Sequence, residues 1–411
     1  MTYEFEYLMH LVGVSALGLS FEMPKKELCW KKLFDLASEQ AVFALAASAA
    51  KPVWHVLDPE LKQDVRARLY SVVVSEDIRQ KAIWKLIACF RSAGIPFALL
   101  KGIGLSALYK IPELRESGDV DLYVGREQEN RAFALLQQQG VTITKRNPAQ
   151  HESAGYHSEI GPIELHAYLF REEDRELWFG RSEKYSDEVD SFSIQKSSDN
   201  QEIPVLVVQN NVEFLCLHFI KHFIREGISI RNILDVGLFL QAYEKDIDHK
   251  RLWDLLKSLD YDGIIQAALN ICVHYFHMPE ERFVGYSSMD SDTIHLVLDD
   301  IERGGYLGVK EQHERGKSAK EYEQTVFVNN KWKSRRIFWE RLYAAVPNKK
   351  KLQRKYPYAR THASLLPIAW ISYLLSGSWK VFKRSITKVQ TRDEPSQSTR
   401  TELFKKLGIM R

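Results

Sequence analysis

The sequence predicts an α+β protein with a small mixed sheet set between helical regions. Three observations carry this. Strand-like patterns cluster between about residues 96 and 208 and alternate there with short helical ones. Three- and four-residue apolar periodicity dominates before and after that window. The chain has 411 residues, 45% apolar and 27% charged, the mix of a folded chain with a sizeable core. That composition excludes global disorder, a disulfide mini-scaffold and a polytopic membrane protein.

Residues 1–95 read as helices. Trp30, Leu33, Phe34, Ala37 and Ala41 form an amphipathic stripe. Asp58-Pro59 supplies an N-cap and first-turn proline for a helix through Arg68 and Tyr70. A separate helix is expected from Glu76 to Ser92, stopped at Gly94. Pro96–Leu100 then reads as a buried strand, and Lys101-Gly102 leads into a short helix through Leu105, Leu108 and Tyr109. Asp119–Val124 alternates like a half-buried strand. Glu127–Gln139 is a helix closed by Gly140, and Val141–Lys145 is another strand. Tyr156–Ile160 and Ile163–Phe170 form a hairpin across Gly161-Pro162. From Asn211 to about residue 300 the chain is helical again. A polar linker follows Gly304-Gly305, and residues 391–401 are expected to be disordered. The expected regions are therefore 1–95, 96–208, 209–303 and 304–411.

Cys29, Cys89, Cys216 and Cys272 are too dispersed for a C-x-x-C pair, and each reads as a small core residue. Glu4 and Glu6 stand where a secretory leader would carry positive charge. The longest uncharged apolar stretch, 363–379, falls short of the roughly 20 residues of a membrane span. A cytoplasmic protein is expected.

The chemistry concentrates in Ser117-Gly118-Asp119-Val120-Asp121. Side chains alternate along a strand, so Asp119 and Asp121 share one face while Val120 and Leu122 enter the core. Adjacent like charges destabilise a strand, and a divalent cation relieves that cost. Glu164-Leu165-His166 repeats the alternation on a later strand, so Glu164 completes a three-carboxylate set if the two strands are neighbours. Upstream, Lys101 and Gly102 sit at a strand-to-helix turn, where glycine lets backbone approach a phosphate. Lys101 and Arg115 can neutralise phosphate charge. Taken alone, a D-x-D pair is more often a solvated strand face.

The run "LLKGIGLSALYKIPELRESGDVDLYV" resembles the signature of the uncharacterised nucleotidyltransferases of the DNA polymerase β superfamily. "IELHAYL" is similar to that family's third-carboxylate strand, and "LCLHFIKHFI" with "IRNILDVGLFL" to its following helices. The likeness spans roughly residues 25–300. It implies a nucleotidyltransferase-like mixed sheet flanked by helices. It also implies transfer of a nucleoside monophosphate from an NTP, ATP being the expected donor, with Mg²⁺ or Mn²⁺. Asp119, Asp121 and Glu164 would be the metal ligands and catalytic groups. Lys101, Gly102, Arg115, Ser117, Lys221 and His222 would hold the triphosphate. The chain departs from the superfamily pattern at Ile103, where Gly or Ser is usual, and in a longer interval before Asp119. A non-catalytic adaptor that keeps the fold is therefore an alternative, as is a toxin-like enzyme that modifies tRNA.

His218, Lys221, His222 and Arg225 lie on one side of a helix, and Arg231 and Asp235 make an i, i+4 pair on the next. Without the resemblance, the first set reads as a polar helix face, with a zinc pair as the lesser alternative. The acceptor suggested by such proteins is a glycan, a lipid-linked molecule, a peptide or tRNA.

A net charge of +3 hides an asymmetry. Residues 320–411 hold 21 Lys and Arg against 6 Asp and Glu, or +15, while the rest holds 36 against 48, or −12. Within 331–384 the cations are interleaved with Trp, Phe and Tyr. That pattern suits peripheral contact with the inner face of a membrane, docking on the acidic body, or single-stranded nucleic acid.

Overall fold

The computed structural model describes residues 1–145, 152–170, 189, 192–197, 200–305 and 399–410. The basic region 331–384, its apolar stretch 363–379 and residues 306–323 and 391–398 lie outside the described residues. Residues 1–305 and 402–410, where described, belong to one compact unit.

The chain begins with three helices, α1 (Tyr3–Leu17), α2 (Trp30–Glu39) and α3 (Phe43–Ala49). The Thr2 hydroxyl caps α1 by accepting from Phe5 N–H, and Gly18 closes it in the left-handed region. Cys29 is exposed just ahead of α2, so it is not the core residue expected; Cys216 and Cys272 are buried and Cys89 is half-buried.

Helix α4 (Pro59–Ser92) corrects a second expectation, because the two helices read from the sequence are one, 34 residues long. Asp58 caps it and Pro59 occupies its first turn. No glycine or proline interrupts it. The helix changes partners partway: Val65 and Leu69 are buried near its start, next to α3, whereas Ile83, Leu86, Ile87 and Phe90 enter the sheet's core. Tertiary packing at both ends sustains the weak helix formers Val72–Val74 between them.

Strand β1 (Ala98–Leu99) leads into α5 (Ile103–Ser106) and a 3₁₀ turn, Pro112–Leu114. There follow β2 (Val120–Tyr123), α6 (Glu129–Gln138), β3 (Thr142–Lys145), β4 (Glu152–His157) and β5 (Gly161–His166). These strands form a mixed sheet in the order β1-β2-β5-β4-β3, in which only β2 and β5 run parallel. The β4–β5 hairpin is present, but Gly161 and Pro162 are paired strand residues and the turn falls at 158–160. Strands β6 (Phe192–Lys196) and β7 (Glu202–Leu206) make a separate antiparallel ribbon, and β7 packs beside β1.

Helices α7 (Val208–Arg225), α8 (Ile230–Ala242), α9 (His249–Ser258), α10 (Asp262–Phe276) and α11 (Ser291–Gly304) follow. Helix α12 (Thr399–Lys406) replaces the last residues of the segment expected to be disordered. Its order has a local cause: Leu403, Phe404 and Leu407 are buried, and Phe404 meets Phe223 of α7. Among the described residues no helix is long and apolar enough to cross a membrane.

The sheet's two faces separate cleanly. Val120, Leu122, Ile163 and Leu165 join Ile83, Leu86, Phe90, Phe133 and Leu136 in one apolar core. The alternate positions, Asp121, Tyr123, Glu164 and His166, occupy the opposite face.

Candidate active site

The β2–β5 register brings the carboxylates together. Asp121 and Glu164 are paired Cα positions in the parallel ladder, and Tyr123 pairs with His166. Directly paired residues of adjacent strands project to the same side, so the condition left open by the sequence is met for Asp121 and Glu164. Asp121 is almost fully buried, its side chain 2% exposed. Lys101 Nζ lies 2.9 Å from its Oδ2, and His166 Nε2 lies 2.9 Å from its Oδ1. The same His166 nitrogen lies 3.6 Å from Glu164 Oε2. Asp119 precedes β2, half-exposed, at the wall of a cleft.

Electrostatics bind these groups into one unit. Burial by itself would raise the Asp121 carboxyl, but Lys101 and His166 outweigh it and hold Asp121 well below the usual carboxylate range. Burial would likewise lower Lys101, yet Asp121, Asp119 and Glu164 outweigh it and raise the ammonium. One cation thus lies in the field of all three predicted carboxylates.

Helix α7 adds a histidine ladder. Nε2 of His218 faces Lys101 Nζ and His222 Nε2, each at 3.2 Å. His222 Nδ1 in turn meets Glu226. An ammonium has no lone pair, so His218 Nε2 is the acceptor and the ring is neutral. Burial, followed by the charge of Lys101, pushes His218 well below its ordinary value of 6.5. A pH dependence follows. Below that ordinary value the unfolded chain binds a proton that the folded chain refuses, so stability falls as the pH drops. Urea unfolding between roughly pH 7.5 and 5.5 should lose up to about 1.4 kcal/mol per pH unit from this group. His218→Gln should remove that part of the slope; an unchanged slope would count against a neutral buried His218.

The loop before Asp119 is fixed from several elements. Arg79 of α4 donates from Nη1 to the Ser117 carbonyl at 2.7 Å and from Nη2 to the Gly118 carbonyl. Ser117 N–H donates to Glu76 Oε1 at 3.1 Å. Arg231 of α8 donates to the Glu116 carbonyl, and Ala44 N–H to Glu116 Oε1 at 2.9 Å. Arg115 makes a two-point pair with Asp235, Nε to Oδ1 at 2.9 Å and Nη2 to Oδ2 at 2.7 Å. Tyr109 donates its hydroxyl to the same Oδ1 at 2.8 Å. The third Arg115 nitrogen reaches Ser117 Oγ at 3.2 Å and the Gly102 carbonyl at 3.4 Å. Asp235 therefore serves Arg115 and Tyr109, partners distant in sequence, besides lying one helical turn from Arg231.

Gly102 has φ +64° and ψ −114°, a combination closed to L side chains. A Cβ there would meet nothing within 4 Å, so backbone conformation and not lack of space calls for glycine. Ile103, the departure from the superfamily pattern, is buried and belongs to the same apolar core as Ile83 and Val120.

Of the predicted residues, Lys101, Gly102, Arg115, Asp119 and His222 line one open cleft, with His218, Arg231 and Asp235. Ser117 lines a neighbouring pocket that shares Gly102 and Asp119 with it. Lys221 is half-buried on α7. Sequence reasoning did not assign roles to His166, Glu76, Arg79 or Glu116. For His166 a signal existed, its i, i+2 spacing from Glu164. For the loop-holding residues there was none, because their partners lie at least 38 positions away.

The donor set fits a divalent cation. One ligand atom from each of Asp121, Glu164 and His166 can be chosen so that all lie within 4.8 Å of one another. Two oxygens and an imidazole nitrogen are hard-to-borderline ligands, and the nearby positive charge of Lys101 keeps Asp121 ionised to serve as one.

The mixed sheet carries Asp121 and Glu164 on its polar face, and the open cleft lined by Lys101 and Asp119 lies beside them. Residues 26–277 match the profile of an uncharacterised nucleotidyltransferase family, and the chain belongs to that family. The match takes in every site residue named above. No curated protein and no solved structure matches the chain.

Proposed function

We propose that the protein transfers a nucleoside monophosphate from an NTP, with ATP as the donor, to an acceptor hydroxyl. The observation that supports this most directly is the juxtaposition of Asp121 and Glu164 across β2–β5, with Asp119 at the adjoining cleft wall. A divalent cation, Mg²⁺ or Mn²⁺, held by Asp119, Asp121 and Glu164 would supply Lewis acidity at the α-phosphate. Lys101, with Gly102 at its turn, would meet the triphosphate, and Arg115, Ser117, Lys221 and His222 would shape its binding region. Arg115 acts mainly by holding the loop, since Asp235 already engages its guanidinium. Glu164, more exposed than Asp121, would accept the acceptor's proton. The acceptor oxygen then forms a bond to the α-phosphorus, and the bond to the departing pyrophosphate breaks. The acceptor belongs to the glycan, lipid-linked, peptide or tRNA classes, and the basic region 331–384 would supply a peripheral membrane or partner contact in the cytoplasm.

A second reading has its own observation. Both Asp121 oxygens already face a cation or donor, Lys101 and His166, so Asp121 has partners without a metal. A fold-keeping adaptor would show that arrangement. Release of pyrophosphate from labelled NTPs separates the two. The enzyme reading expects release with Mg²⁺ or Mn²⁺ and none after chelation by EDTA. Failure of the protein to bind any NTP with either ion would leave the adaptor.

A further inference from the structure

We infer that His166 is a nitrogen ligand of the cation site, and that the site therefore favours a nitrogen-accepting divalent ion, of which Mn²⁺ is the probe, over Mg²⁺. This rests on the cation site proposed above and names the ion it selects.

The placement of His166 follows from the strand. It stands two residues after Glu164 on β5, on the same face, and is buried. Its Nε2 faces the carboxylates, 2.9 Å from Asp121 Oδ1 and 3.6 Å from Glu164 Oε2. Two ligands at right angles on one ion, each about 2.1 Å from it, lie roughly 3 Å apart. Wider angles separate them further. The two distances seen are thus those of donors able to share an ion.

A simple hydrogen bond from His166 to Asp121 is the competing account. It does not explain why the same nitrogen also approaches Glu164. Nor is it needed to balance Asp121, whose other oxygen already pairs with Lys101. An imidazole between two carboxylates does alter metal choice. Mg²⁺ prefers all-oxygen shells and gives up water reluctantly. Transition ions accept imidazole, with affinity rising from Mn²⁺ to Cu²⁺ and falling again at Zn²⁺. Asp121 and Glu164 keep the site hard enough for Mn²⁺, and His166 gives that ion an advantage that Mg²⁺ cannot use.

The test uses the full-length protein without nucleotide. Free Mn²⁺ is counted by electron paramagnetic resonance while Mg²⁺ competes, and bound Mn²⁺ is examined for nitrogen-14 modulation of its spin echo. The expected result is tighter binding of Mn²⁺ than Mg²⁺, with nitrogen coupling of the imidazole type. His166→Gln offers an oxygen in place of nitrogen. It should abolish the coupling and lower Mn²⁺ affinity roughly 10–100-fold while changing Mg²⁺ affinity much less. Bound Mn²⁺ without nitrogen coupling in the wild type overturns the inference even if the variant does not fold, and leaves the cation site standing. A Mn²⁺ to Mg²⁺ preference unchanged in His166→Gln also overturns it. Binding of neither ion removes both this inference and the proposed cation site.

Discussion

Asp121→Asn is expected to lower pyrophosphate release on the order of 10³-fold or more. Asn keeps the shape of Asp121 but neither its charge nor its two equivalent oxygens. Lys101 loses its closest counter-ion, and the proposed cation would lose its ligand on β2. The same change costs stability, since removing one partner of a buried pair costs about 3–5 kcal/mol. The lower end is expected, because Lys101 keeps 19% exposure and remains in the field of Asp119 and Glu164. The two effects come apart in the double variant Asp121→Asn with Lys101→Met. Removing both charges restores much of the stability, yet no activity returns. Urea unfolding and pyrophosphate release on the same preparations check this. Activity within roughly tenfold of wild type in Asp121→Asn, a barrier change of only about 1.4 kcal/mol, would contradict the assignment. The wild-type contribution has a definite pH sign. A depressed carboxyl stabilises the fold above its ordinary value of 3.8, and that contribution fades only as the pH falls below it.

The faces of the site were legible in the sequence, but not its pairing. Alternation alone placed Asp121 on the polar side of one strand and Glu164 and His166 on one side of another, whereas Asp119, read onto the first strand, falls just before β2. Alternation could not say that β2 and β5 are neighbours, or that Asp121 stands opposite Glu164, because register depends on two strands and the crossover between them. The loop at 115–118 was legible only as a turn. What fixes it are Arg79, Glu76 and Arg231, side chains from helices before and after the sheet, and no local pattern announces such partners. The same limit explains α4. Val72–Val74 lowers helix propensity between two clearly periodic stretches, which invites a division there. Burial of both ends against different neighbours overrides it. That continuity bears on the site: Glu76 and Arg79 sit near the point where α4 passes from the N-terminal helices to the sheet, so the helix can hold the loop between them.

Asp235→Asn should show how far this holding matters. The Arg115–Asp235 pair is among the most enclosed ion pairs of the described residues, with side chains 4% and 6% exposed. Burial would lower Arg115, but Asp235 and its hydrogen bonds outweigh that and raise it, so the guanidinium stays charged at any working pH. Tyr109 is raised well above its ordinary range by burial and then by Asp235, and remains a neutral donor. Neutralising Asp235 leaves the buried guanidinium without its paired carboxylate, at a cost of about 3–5 kcal/mol in urea unfolding. Replacing both partners, Arg115→Leu with Asp235→Leu, removes the unpaired charge and should be more stable than Asp235→Asn. It also removes the Arg115 contacts to Ser117 Oγ and the Gly102 carbonyl. If those contacts position Asp119, the double variant recovers stability without recovering rate. A displacement near 1 Å at a reacting group costs roughly 10²-fold. Full activity in the stable double variant would mean that the pair serves the fold alone, and that Arg79, Glu76 and Arg231 suffice to set the loop.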